Sequence, residues 1–139
     1  MKKLNIAIIG QGRSGKKIHG KYYISADNEY YNVKYVVDAD ELRRQVSEER
    51  YEGCRTFADY RELFSLDDID LVVNATYSEM HYSIALDLIQ HGKNVVVEKP
   101  FGRNKYECNN LIKAAKDNGR TDAWAYDDAV CEYSANEGY

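Results

Sequence analysis

The chain has 139 residues, enough for one domain with a real core, and its 44 % hydrophobic and 30 % charged residues are an ordinary globular balance. With 19 Lys and Arg against 23 Asp and Glu, the formal charge is −4, which argues against a general nucleic-acid binder needing a basic face. Cys54, Cys108 and Cys131 form no C-x-x-C pair, and adding the 3 His yields no metal-ligand spacing, so no metal is expected and a reducing, cytoplasmic setting fits. The apolar run Ile6 to Ile9 is too short for a signal peptide or a membrane span, so no membrane partner is expected.

In chain order, "LNIAIIG" (Leu4 to Gly10) predicts a buried strand ending in glycine. Ser14 to about Ser25 can form a helix, and "NVKYVVDAD" (Asn32 to Asp40) predicts a second strand ending in acids. Glu41 to Tyr51 reads as a charged, largely exposed helix. A short strand at Cys54 to Phe57 and a short helix around Tyr60 to Phe64 follow. "DIDLVVNAT" (Asp68 to Thr76) predicts the fourth strand, and Met80 to His91 a helix packing through Ile84, Leu86, Leu88 and Ile89, with Gly92 at its C-cap. "NVVVE" (Asn94 to Glu98) predicts the fifth strand, and Asn104 caps a last helix running to Asn118 before Gly119.

Val- and Ile-rich strands separated by helices predict parallel β-α-β units with both sheet faces covered. The implied fold class is a doubly wound α/β sheet of Rossmann type, order 3-2-1-4-5. Ligands of such sheets bind beyond the C-terminal strand ends, which here carry Gly10, Asp38, Asn74 and Glu98. Residues 1–119 are expected to form this domain. The remaining "RTDAWAYDDAVCEYSANEGY" (Arg120 to Tyr139) loses the pattern: Thr121 to Tyr126 is a candidate sixth strand and the rest reads as irregular.

The chemistry-bearing motif is "GQGRSG", with Gly10, Gly12 and Gly15 in G-x-G-x-x-G spacing between a strand and a helix. Gly10 permits the tight turn, Gly12 lets backbone approach a pyrophosphate, and Gly15 lets helix and strand pack closely. The helix start, with Arg13 and Ser14, offers free N–H groups and a positive dipole end to that anion. Asp38 is placed to accept hydrogen bonds from the adenosine ribose hydroxyls, and is preferred over Asp40 because it directly follows the apolar run. Its charge would repel a 2′-phosphate, favouring NAD over NADP, although Asp40, Arg43 and Arg44 nearby complicate that preference.

Two further segments, "NATYSEMH" (Asn74 to His81) and "EKP" (Glu98 to Pro100), complete a resemblance to the Gfo/Idh/MocA oxidoreductases. Thr76 and His81 match that family's T-P-x-x-x-H element, with Tyr77 where proline is usual. Gly92 to Phe101, "GKNVVVEKPF", matches its E-K-P strand end completely. The resemblance covers residues 3 to 119. It implies that Lys99 hydrogen-bonds or polarises the reacting hydroxyl of a sugar or polyol, a task suited to a lysine with three donors and a tunable pKa. It also implies that Glu98 orients either the nicotinamide ribose or Lys99, and that Asn74, Thr76 and His81 border the cofactor. For His81, capping or lining the helix start is the stronger expectation.

Members of this family carry a second α/β domain that forms the substrate wall, and nothing after Gly119 resembles its beginning. A truncated or frameshifted reading frame is one expectation, leaving an intact nucleotide-binding domain of low turnover. Surface normally covered by that second domain would then favour a dimer or other homo-oligomer. A stand-alone NAD-sensing module without catalysis is the alternative, disfavoured by the retained E-K-P lysine.

Overall fold

The computed structural model of the chain describes residues 3–11, 23–25, 28, 30–76, 80–97 and 105–117. Within them, β1 (Leu4–Ile9), β2 (Tyr31–Val37), β3 (Arg55–Phe57), β4 (Leu71–Asn74) and β5 (Val95–Val97) form one parallel sheet in the order 3-2-1-4-5. The helices are α1 (Glu41–Arg50), α2 (His81–Gln90) and α3 (Lys105–Asp117), with a 3₁₀ turn at Tyr60–Leu63. The predicted helix from Ser14 lies largely outside the described residues, and the candidate sixth strand lies wholly outside them.

Apolar side chains leave the central strands in both directions, as a doubly wound sheet requires. On one face Ala7, Ile9, Tyr35, Val37 and Val72 pack with Ile84, Leu88 and Ile89 of α2 and Leu111 and Ala115 of α3. On the other, Ile6, Ile8, Val33, Val36 and Val73 pack with Tyr51 and Cys54. α1 is mostly exposed, as its charged sequence predicts; Asp40 caps it by accepting from the backbone N–H groups of Leu42 and Arg43. Gly92, at φ +79°, supplies the left-handed residue that ends α2.

Three elements differ from the sequence reading. β2 stops at Val37 and β4 runs only from Leu71 to Asn74; Asp38 and Ala75 each make one last backbone bond to the neighbouring strand as the chain leaves the sheet. The segment after β3 is a 3₁₀ turn of four residues, too short to close α-helical rings. Lys34 stands in the middle of β2, between buried Val33 and Tyr35. The β1–β2 pairing steps there, from Ile6↔Val33 to Ala7↔Tyr35, leaving Lys34 as a surplus residue. Its ammonium pairs with Asp68, which also accepts from the Tyr35 hydroxyl.

Burial pushes the Cys54 thiol up to about 12, so it stays protonated and serves as a small packing group. The Tyr51 hydroxyl is buried without a hydrogen-bond partner among the described residues. Removing an unsatisfied buried hydroxyl costs nothing in lost bonds, so Tyr51→Phe is expected to leave stability unchanged or raise it by up to about 1 kcal/mol in urea unfolding. A loss of more than about 1 kcal/mol would contradict the isolation of that hydroxyl.

Candidate functional site

The strands of a parallel sheet point the same way, so their C-terminal ends deliver loops to one edge. The ladder hydrogen bonds continue one step past the strands. Gly10 N–H donates to Val37 O at 2.8 Å, Ala75 N–H to Ile9 O at 2.9 Å and Asp38 N–H to Phe57 O at 3.0 Å. Gly10, Asp38 and Ala75 therefore leave the sheet at one level, around the place where strand order reverses between β1 and β4. Open α/β sheets bind ligands in that crevice.

Gly10 has φ +94°, and a Cβ there would lie 2.7 Å from the Ala75 carbonyl oxygen. The first glycine of the motif is thus required twice, by its dihedral and by the approach of the β4 loop. Gln11 follows it, and its backbone N–H donates to Asp38 Oδ2 at 2.8 Å. The other carboxylate oxygen, Oδ1, accepts from Asp40 N–H at 2.9 Å. Asp38 thereby ties the glycine turn after β1 to the turn after β2. A carboxylate has about four acceptor sites, and the hydrogen bonds from the described residues use two of them. Arg44 holds the same turn from beneath, its Nη1 donating to the carbonyls of Asp38 and Ala39 at 2.8 and 3.0 Å.

The β4 end is braced differently. Asn74 is fully buried, its Nδ2 donating to the His81 carbonyl at 3.1 Å while its Oδ1 accepts from the Thr76 hydroxyl at 2.7 Å. His81 is 2 % exposed, and its Nε2 donates to the Thr76 carbonyl at 2.8 Å. The Asn74, Thr76 and His81 side chains close the ends of the 74–81 segment on each other and fix where Ala75 and Thr76 meet the Gly10 turn.

Of the residues singled out in the sequence, Gly10, Asp38, Asn74, Thr76 and His81 are described, and all lie at this edge. Gly12, Arg13, Ser14, Gly15, Tyr77, Glu98, Lys99 and Pro100 lie outside the described residues. Gln11 was missed because its contribution is a backbone N–H, which leaves no mark in a side-chain pattern. Its position between Gly10 and Gly12 was the only signal. Among the described residues no group of three His, Cys, Asp or Glu could hold a metal ion, and no helix is long and apolar enough to cross a membrane.

A parallel sheet in the order 3-2-1-4-5, with a left-handed glycine turn at its switch point and a carboxylate at the adjoining strand end, defines a dinucleotide-binding α/β domain. Residues 4–126 match the oxidoreductase family with an NAD-binding Rossmann fold, and the chain belongs to that Gfo/Idh/MocA family. It is 32 % identical over 95 residues to scyllo-inositol 2-dehydrogenase (NADP(+)) IolU of Bacillus subtilis (strain 168), covering 68 % of this chain and 29 % of that protein. The structure of GenD2 from gentamicin A biosynthesis, in complex with NAD, superposes with a TM-score of 0.76 at 29 % identity, covering 86 % of this chain and 33 % of that one. The WlbA dehydrogenase of Bordetella pertussis, in complex with NADH and UDP-GlcNAcA, gives 0.74 at 25 % identity, covering 85 % and 33 %. The chain spans about a third of the length of the curated relatives it matches.

Proposed function

We propose that this chain binds NAD as the nucleotide half of an oxidoreductase acting on a CH–OH group of a sugar or polyol. The observation that carries the reading is the convergence of the Gly10 turn and the Asp38 carboxylate at the adjoining ends of β1 and β2. In this reading residues 1–119 form the binding unit. The glycine loop receives the pyrophosphate on backbone N–H groups, which a glycine lets approach closely. Asp38 accepts hydrogen bonds from the adenosine ribose hydroxyls, favouring NAD. The 74–81 brace holds Ala75 and Thr76 as the opposite rim. The bound dinucleotide supplies the hydride acceptor; the chain's own part is to orient it and exclude water.

The lysine of E-K-P, Lys99, is assigned to the reacting hydroxyl. Because hydride transfer needs both reactants held at near-attack distance, turnover depends on whatever completes the cleft around the bound nucleotide. Calorimetric titration of the purified chain with NAD tests the binding reading, and heat of binding is expected. Titration without heat from either NAD or NADP would reduce the claim to family membership. A parallel assay with an inositol and NAD separates the enzyme from a binding module. Detectable NADH formation that Lys99→Met abolishes would assign the lysine, whereas turnover surviving that change would remove it from the chemistry.

A further inference from the structure

β4, the strand beside β1 at the switch point, ends in a polar residue. Asn74 pairs in the sheet with Ile9 of β1 and Val97 of β5 and follows buried Val72 and Val73, yet it is an amide with 0 % exposure. Burying an amide is costly unless its polar atoms are bonded. Among the described residues, every partner of this side chain lies just ahead in the chain. Its Nδ2 donates to the His81 carbonyl at 3.1 Å, while Oδ1 accepts from the Thr76 hydroxyl at 2.7 Å and from the Thr76 N–H at 3.4 Å. Its amide therefore spans the connection from strand to helix and grips Thr76 on the way. In the family, proline usually follows the threonine of this element, and Tyr77 takes its place here. A proline fixes its own φ and restricts the residue before it, which would be Thr76. Asn74 thus holds by hydrogen bonds the residue that proline would restrict by sterics.

We propose that Asn74 is a positioning residue for the nucleotide site, standing in for the missing proline and acting on the dinucleotide through the Ala75–Thr76 rim without touching it. The inference rests on the nucleotide-binding reading above and refines it. Two contacts carry the effect from the rim to the glycine turn. Ala75 N–H donates to Ile9 O at 2.9 Å, and the Ala75 carbonyl oxygen stands 2.7 Å from where a Cβ on Gly10 would lie. A rim that shifts must therefore press on the turn after β1 or leave it unsupported. His81 Nε2, donating to the Thr76 carbonyl at 2.8 Å, holds the same residue from the helix side. Valine at position 74 would suit the strand better, since asparagine is depleted in strands. What it would release is Thr76.

The test is a double-mutant cycle on the full chain, read by calorimetric titration with NAD at a temperature where thermal melts show each protein folded. Asn74→Val is expected to raise the Kd for NAD about tenfold. Adding Tyr77→Pro to that variant should bring Kd back to within about threefold of the unmodified chain, whereas Tyr77→Pro alone should change it less than about twofold. A residue that served only the strand would behave differently: Asn74→Val would melt at a lower temperature while the folded protein kept its Kd. That result would overturn the proposal, and so would a loss of affinity that the proline does not recover. Thr76→Val keeps the shape without the hydroxyl and probes the same bond from its other end, so the test does not depend on Asn74→Val folding. It should raise Kd about threefold, again offset by Tyr77→Pro, and an unchanged Kd would overturn the assignment. An unmodified chain that binds no NAD would instead sink the nucleotide-binding reading, and this inference with it.

Discussion

Gly10→Ala is expected to lower the unfolding free energy by about 2–5 kcal/mol and to abolish dinucleotide binding. Two costs add. A side chain at φ +94° pays roughly 1–2 kcal/mol of backbone strain. The new Cβ also meets the Ala75 carbonyl oxygen at 2.7 Å, and because that atom is backbone it cannot swing aside. Relieving such an overlap by shifting packed structure costs about another 1–3 kcal/mol. The shift would separate the β1 and β4 loops at the switch point, which is why binding should go with stability. Gly53 provides the control: its φ is +77° but nothing lies within 4 Å of its Cβ position. Gly53→Ala should therefore show the dihedral cost alone, on the order of 1 kcal/mol, and leave binding intact. Urea unfolding of the two variants side by side would refute the argument if they lost equal stability.

Asp38→Ala should have the second largest effect, and it should appear before any ligand is added. The change removes two hydrogen bonds to a carboxylate, one of them from the backbone N–H of Gln11, a residue only 4 % exposed. The expected loss is about 2–4 kcal/mol in the ligand-free chain, together with loss of NAD binding. Asp38→Asn keeps one good acceptor oxygen and should fall in between. A carboxylate that served only the ribose would behave otherwise: Asp38→Ala would then unfold like the unmodified chain while failing to bind NAD. Comparing thermal melts with titrations on the same preparations separates the two roles.

The parallel arrangement was legible because four of the five strands carry Val or Ile runs and helical segments alternate with them; β3, Arg55-Thr56-Phe57, has no such run. Gly10 and Asp38 were legible as strand-end landmarks for the same reason. What the sequence hid were the partners. Nothing in the residues themselves says that Asp38 reaches the N–H of Gln11, since a backbone donor is common to every position. His81 was identified by its spacing from Thr76, but only the fold shows its ring turned back onto the Thr76 carbonyl. Strand ends were overestimated at Asp68 and Thr76 because period-two reasoning does not sense where the ladder loses its neighbour. The step in β2 was likewise invisible: nothing in the strand's sequence says that Lys34 is passed over in the pairing.

That surplus residue has a geometric consequence. At the lower end of the pair, residues on β1 meet partners 27 positions later, as in Leu4↔Tyr31; at the upper end the offset is 28, as in Ile9↔Val37. Carried onward at the first offset, Gly10 would stand level with Val37, and the carboxylate would sit one residue farther along, roughly 3.3 Å away. At the second, Gly10 stands level with Asp38. The step also changes phase: Val33 keeps company with Ile6 and Ile8, while Tyr35 and Val37 turn toward α2. One lysine pushed sideways in the middle of a strand thus acts as a vernier, sliding an acid at the far end into reach of a single peptide N–H.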